Sequence, residues 1–208
     1  SYRDVNIALA NELMITCNKL GIDPYDVVSL ANKHPRVNIP DFGIGVGGHC
    51  LPVDPYFIIN SFPDSSKLLN TAREINNSMP KFIVSKIEKL LVKINEPKIG
   101  VWGVSYKKNS SDIRNSPSLE IVNLLRDKGY DVKIYDPLVE GINYDKIKYE
   151  SIKNSNYLIV LVGHDEFFEE DYGEITRLMD RPIILDGANI FEKVSLPKNV
   201  EYYNLMNS

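Results

Sequence analysis

Apolar positions recur at helical spacing through the first third of the chain. Val5, Leu9, Leu13, Thr16 and Leu20 fall three to four residues apart, which predicts an amphipathic helix over residues 1–20, ended by Gly21. Asp23-Pro24 offers an N-cap followed by proline at the first helical position, so a second helix is expected to about Asn32, before His34-Pro35. Asp54-Pro55 repeats that signal and predicts a short helix from Tyr56 to Asn60. Residues 65–95 are strongly helical. Leu68, Ala72, Ile75, Met79 and Phe82 form one stripe, and Ile83, Ile87, Leu90 and Ile94 form its neighbour. Pro80 is expected to kink or interrupt this helix, because proline removes a hydrogen bond and clashes with the preceding turn. The first residue is Ser1, and helical period begins at once with no cap ahead of it; this reads as a chain cut inside a helix.

From Glu96-Pro97 the period changes. Lys98 to Val104 reads as a buried strand, followed by a helix from about Ser118 to Asp127 that Lys128-Gly129 closes. Val132 to Asp136 follows as a strand, then a helix-poor connection, then strands at Tyr157 to Val162 and Pro182 to Asp186. Val200 to Tyr203 is expected to pair at an edge. Apolar strands alternating with helices predict an α/β fold with a Rossmann-like, doubly wound parallel sheet. The expected organisation is an all-helical part, residues 1–96, joined by the long helix to an α/β part, residues 97–208.

Composition narrows the function classes. A net charge of −4 with no basic block gives nucleic-acid binding no electrostatic support. No apolar run approaches the length needed to cross a bilayer, and no signal-peptide pattern opens the chain. Cys17 and Cys50 are the two cysteines, and without a secretion signal they point to reduced thiols in the cytoplasm. Cys17 lies in the first helical pattern and reads as core. Three scattered histidines lack ligand spacing, so no metal site is expected.

The chemistry concentrates in Gly43-Ile44-Gly45-Val46-Gly47-Gly48-His49-Cys50-Leu51-Pro52-Val53-Asp54. Glycines let a ligand approach the main chain; a thiol directly after them can act as a nucleophile, with the Asp54 carboxylate in reach to handle protons. That reads as covalent catalysis on a phosphate-bearing substrate. Gly43, Gly45 and Gly48 also match the dinucleotide fingerprint, but Pro40 and Phe42 precede it without a strand, and His49-Cys50-Leu51-Pro52 opens no helix. The bland alternative is a glycine-rich surface loop beside a buried cysteine.

A second cluster follows the first strand, from Val104 to Pro117, where ligands of open α/β sheets sit. Lys107 and Lys108 suit phosphate, Tyr106 can stack on or hydrogen-bond a base or ribose, and Arg114 offers a fork for phosphate or carboxylate. A solvated polar loop is the competing reading. His34-Pro35-Arg36 alone reads as a helix end where positive charge is favoured, and His164-Asp165 as a cap for the next helix.

Together, Gly-x-Gly-Val-Gly-Gly-His-Cys-x-Pro-Val-Asp-Pro-Tyr-Phe from Gly43 and Gly-Val-x-Tyr-Lys-Lys-x-x-x-Asp-x-Arg from Gly103 resemble the UDP-glucose/GDP-mannose dehydrogenase family. Arg3 to Ala8 and Ala31 to Asn38 are similar to its UDP-N-acetylmannosamine branch. The resemblance implies oxidation of a sugar C6 alcohol to a carboxylate by two NAD⁺, within a cell-surface polysaccharide or glycan pathway. Cys50 would attack the intermediate aldehyde to form a thiohemiacetal and then a thioester, and Asp54 would help activate the hydrolytic water. It assigns Arg3, Asp41, Phe42, Gly43, Ile44, Gly45, Val46, Gly47, Tyr106 and Lys107 to a UDP-N-acetylhexosamine and Arg114 to NAD. His34 and Arg36 would reach the active site of the neighbouring subunit in a homodimer, with the helical part dimerising and the α/β part binding the UDP-sugar. The glucosamine configuration is the alternative substrate. A noncatalytic UDP-sugar-binding or dimerisation module, with a structural cysteine, is the alternative class.

Three departures accompany the resemblance. The family's NAD-binding domain, with a Lys and an Asn, is expected ahead of Ser1, so the chain is expected to be inactive alone. Phe42-Gly43-Ile44-Gly45 stands where the branch commonly has Pro-Gly-Pro-Gly, which predicts a less rigid loop. Ala188 stands where a basic residue is common.

Overall fold

The computed structural model describes residues 1–141 and 145–207. Helix α1 (Tyr2–Leu20) ends where Gly21 takes a left-handed conformation at φ 67°, as its missing Cβ permits. The face it buries is not the one its apolar period suggests. Leu9 is 48% and Leu20 66% exposed, whereas Asp4, Ala8, Asn11, Met14 and Cys17 are buried. The two polar members of that face are paired with residues 65 or more positions away, a compensation that the local hydrophobic period does not register.

Helix α2 (Pro24–Ala31) starts as predicted, with Asp23 accepting a bond from the Tyr25 amide at 2.8 Å. Helix α3 (Pro55–Ser61) also follows its proline, but Asp54 makes no side-chain cap bond. Helix α4 (Lys67–Leu91) runs through Pro80 without interruption. Proline costs the ladder one bond, while Pro80 is itself buried, with its ring near Gly45. Leu68 of the predicted first stripe is exposed, whereas Ile83 and Ile87 of the second are fully buried.

Five parallel strands follow: β1 (Lys98–Trp102), β2 (Asp131–Tyr135), β3 (Tyr157–Val160), β4 (Ile183–Asp186) and β5 (Glu201–Asn204). Their order is β2-β1-β3-β4-β5, with β5 at the edge. The connections carry α5 (Pro117–Asp127), α6 (Asp145–Ile152) and α7 (Tyr172–Arg177). This is the doubly wound parallel sheet the alternation predicts. Helix α6 corrects the helix-poor connection expected there. It has no strong amphipathic period of its own and packs on the sheet, where Ser151 accepts a bond from the Trp102 indole at 3.0 Å.

Alternate residues of each strand enter different cores, as the two-residue period requires. Ile99, Val101, Ile159 and Leu185 join Met14, Ile44, Met79, Ile83, Ile87 and Leu91 in one continuous cluster. Trp102, Leu158, Val160 and Ile184 join Phe167, Tyr172 and Ile175 in the other. The C-terminal half of α4 is thus part of the core under the sheet. Among the described residues no helix is long and apolar enough to cross a membrane.

Candidate active site

The glycine loop is anchored along its length before it reaches Cys50. Asn32 exchanges two bonds with the Ile39 backbone, at 2.7 and 2.9 Å. Phe42 packs on Tyr25, ring centroids 4.7 Å apart. The Gly43 amide donates to Asn11 Oδ1 at 2.9 Å, and Ile44 is buried in the first core cluster. Side-chain packing at Phe42 and Ile44 thus holds a segment where proline would act by restricting φ.

Beyond Ile44 the loop closes on the second sequence cluster. The Gly48 amide donates to Arg114 O at 2.9 Å, and Asn115 Nδ2 donates to Gly48 O at 2.9 Å. A Cβ on Gly47 would stand 2.7 Å from Asn115 O and from Tyr106 Cβ. Gly48 sits at φ 95° against the Tyr106 ring. The glycines therefore serve loop-to-loop contact here. Cys50 follows as an exposed thiol, and its carbonyl accepts the Val53 and Asp54 amides at 3.0 and 2.8 Å.

A cleft of about 720 Å³ opens between these loops and the carboxyl ends of β1, β3 and β4, where ligands of open α/β sheets bind. Arg3 and Ile7 of α1 form one wall. Asp41 to Leu51, Tyr106 to Lys108, Pro117 and Ser118, Leu161 to Gly163, and Gly187 with Ala188 complete it. A second cavity of about 670 Å³ adjoins it, sharing Asp41, Phe42, Lys108, Gly163, Gly187 and Ala188. Arg3, Lys107 and Lys108 line the first cleft with one carboxylate, Asp41, while the Lys108 ammonium is paired with Asp165 at 2.5 Å. The Lys107 ammonium stands 5.6 Å from the Tyr106 ring centroid.

Eleven of the residues that the resemblance assigns to catalysis or binding meet in this cleft: Arg3, Asp41, Phe42, Gly43, Ile44, Gly45, Val46, Gly47, Cys50, Tyr106 and Lys107. Asp54, His34, Arg36 and Arg114 do not line it. Asp54 is exposed at the start of α3, tied to Cys50 through its backbone. His34 and Arg36 are exposed beyond α2, where the Arg36 amide donates to His34 Nδ1 at 3.2 Å. Ser118 and the Val162-Gly163 turn belong to no motif, although the strand-end rule points to the second of them.

Arg114 is fixed beside the Cys50 loop. Its Nη2 donates to Asp112 Oδ2 at 2.6 Å and its Nε to Oδ1 at 3.0 Å. Nη2 also lies 3.3 Å from His49 Nδ1. Guanidinium has no acceptor, so Nδ1 of His49 is the acceptor there. The hydrogen bonds and charge of Arg114 hold the Asp112 carboxyl down at about 2.

His164 stands at the N-cap position of the helical turn Asp165–Phe168, as expected, but its side chain is engaged elsewhere. It makes no side-chain cap bond, is 1% exposed, and lies against Asp136, with Nε2 3.2 Å from Oδ2. For NAD, the glycine loop does not fit. A Cβ on Gly47 or Gly48 would meet Tyr106, Asn115 or Pro117, no helix opens directly after these glycines to receive a pyrophosphate at its N-terminus, and Arg114 is the one residue assigned toward it.

The central-domain profile of the UDP-glucose/GDP-mannose dehydrogenase family matches residues 1–78, and its UDP binding domain matches residues 100–193. A UDP-N-acetyl-D-mannosamine dehydrogenase of Methanocaldococcus jannaschii is 43% identical over 197 residues, covering 93% of this chain and 46% of that protein. The solved UDP-N-acetyl-mannosamine dehydrogenase of S. aureus superposes with a TM-score of 0.87 at 42% identity, over 100% of this chain and 49% of that one. The UDP-D-ManNAc dehydrogenase structure from Pyrococcus horikoshii gives 0.84 at 37% identity, over 97% and 49%. The chain thus spans a little under half the length of the curated relatives it matches. With both domains matched in order on a cleft built from their two signature loops, the chain belongs to the UDP-glucose/GDP-mannose dehydrogenase family.

Proposed function

We propose that this chain is the C-terminal part of an NAD-dependent UDP-N-acetyl-D-mannosamine 6-dehydrogenase, carrying its nucleophile and its nucleotide-sugar site. One observation carries the reading: a single cleft at the strand ends holds the Cys50 loop, Arg3, Tyr106 and Lys107 together. Arg3 and Lys107 suit a diphosphate, and the names of the relatives support the mannosamine substrate.

NAD⁺ supplies the two oxidations when bound. The residues of this chain act on either side of them. Cys50 Sγ, as thiolate, forms a bond to the C6 aldehyde carbon, and the carbonyl oxygen takes a proton, giving a thiohemiacetal. At the thioester stage water attacks C6, the C–S bond breaks and Cys50 leaves as thiolate. Asp54, held at the start of α3 with its amide on Cys50 O at 2.8 Å, takes the proton of that water.

Residues 1–96 form the dimerisation domain in this reading and residues 97–208 the UDP-sugar domain. His34 and Arg36, exposed and outside the lining of their own cleft, serve the partner's. Two free thiols support a reducing, cytoplasmic setting.

Calorimetric titration with UDP-N-acetylmannosamine, UDP-N-acetylglucosamine and NAD⁺ tests this directly. Tighter binding of the mannosamine nucleotide is expected, with no NAD⁺ heat, and Cys50→Ala should bind as the unaltered chain does. Loss of binding in Cys50→Ala would make the cysteine a packing residue, and absence of binding by the unaltered chain would refute the reading of the cleft.

A further inference from the structure

We propose that His164 is a positioning residue for the cleft: it holds the 105–109 turn so that Tyr106, Lys107 and Lys108 face the nucleotide sugar. The inference rests on the reading of the cleft given above. His164 lines neither cavity, so it acts only through what it holds.

Both ring nitrogens are spent on the loops that leave the sheet. The Asn109 amide donates to Nδ1 at 3.0 Å. A backbone amide is only a donor, so Nδ1 is bare and the proton of the neutral ring is on Nε2. That nitrogen lies 3.2 Å from Asp136 Oδ2 and 3.3 Å from Ser105 Oγ. The Ser105 hydroxyl in turn donates to Lys107 O at 2.9 Å. Asp136, fully buried after β2, receives the Val104 and Ser105 amides at 2.7 and 3.0 Å. Burial pushes the Asp136 carboxyl up, but bonds from His164 and from the Leu138 and Val104 amides outweigh it and hold it low.

Val104, Ser105, Lys107 and Asn109 are thus each tied inward by backbone or hydroxyl. The intervening Tyr106 and Lys108, with the Lys107 side chain, line the cleft. The alternation is a built feature, since every buried donor and acceptor of the cluster finds a partner. Serine, histidine and aspartate together also suggest a hydrolytic relay. Here serine and aspartate share one ring nitrogen and an amide blocks the other, so the relay, which needs one partner on each nitrogen, is absent.

Three variants separate the two ring contacts. His164→Asn can present its amide oxygen near the Nδ1 position, His164→Gln can present an N–H toward Asp136, and His164→Leu can do neither. Hydrogen exchange across 105–109 and UDP titration are read on the same preparations. In His164→Leu, exchange of this turn is expected to quicken by about tenfold and UDP affinity to fall by about tenfold, as loss of one buried hydrogen bond implies. Strands β1 and β3 should keep their protection, and His164→Asn should recover the turn better than His164→Gln. A folded His164→Leu chain with unchanged exchange and affinity overturns the inference. If His164→Leu does not fold, equal exchange and affinity in the other two variants overturns it. An unaltered chain that binds no UDP instead overturns the reading of the cleft, a result that an indifferent His164→Leu variant cannot produce.

Discussion

Arg73 of α4 donates to Asp4 of α1 at 2.6 Å, and both side chains are 1% exposed. Asn76 Nδ2 also donates to Asp4 Oδ1, at 2.8 Å, and Asn11 Nδ2 donates to Asn76 Oδ1 at 2.9 Å. Because Asn11 receives the Gly43 amide, the network runs from a buried ion pair to the wall of the cleft. Removing one partner of such a pair strands a charge, while replacing both by apolar groups does not. Asp4→Leu or Arg73→Met alone is expected to cost about 3–5 kcal/mol, and the double variant far less. Denaturant unfolding of all four chains closes the cycle; simply additive losses would show that the pair is not what couples them.

Gly47 and Gly43 should respond differently to alanine. The Gly47 Cβ would meet backbone at Asn115 and the crowded Tyr106 and Pro117, all within 2.8 Å. Gly47→Ala should therefore destabilise by about 1–3 kcal/mol through overpacking. At Gly43 nothing stands within 4 Å, so Gly43→Ala should lie within about 0.5 kcal/mol of the parent. Thermal melts distinguish them, and equal losses at both positions would contradict this account of the loop.

Asp112 predicts a pH signature. Its folded value, about 2, lies below the ordinary 3.8 because of Arg114. A depressed carboxylate stabilises above the unfolded value, and that contribution disappears as pH falls from about 4 through about 2. The pair is solvent-exposed, so its share of stability is small and screened by salt. The sharper readout is the titration itself: in Arg114→Ala, an NMR pH titration should find Asp112 back in the ordinary carboxylate range. A carboxyl still titrating near 2 would remove Arg114 as the cause.

Ala188 borders both cavities. Ala188→Arg would add a cation where a diphosphate's charge is expected. UDP affinity measured by calorimetry should rise by about tenfold at low salt, the order of one charge-assisted bond. The gain should shrink as ionic strength rises. An unchanged or weakened affinity would mean that the nucleotide lies away from this wall.

Much of this architecture is legible from local pattern. Asp23-Pro24 capped α2 as expected, and the apolar runs at β1, β3 and β4 became central parallel strands. Their determinants lie within a few residues: a side chain that accepts its own helix's amide, or a run apolar on both faces. The Cys50 loop was legible for the same reason, since its glycines and thiol are contiguous. Helix α6 escaped because its few buried residues acquire meaning only against Trp102 and the sheet. The buried face of α1 escaped because Asp4 and Asn11 look like surface until Arg73 and Asn76 are brought to them. His164 caps by position as expected, but the use of its side chain emerged only where β1, β2 and β3 ended side by side, placing Ser105, Asn109 and Asp136 around one imidazole. Covalent neighbours are enough to start a helix or favour a strand. Which polar groups can afford burial depends on partners that only long-range folding supplies.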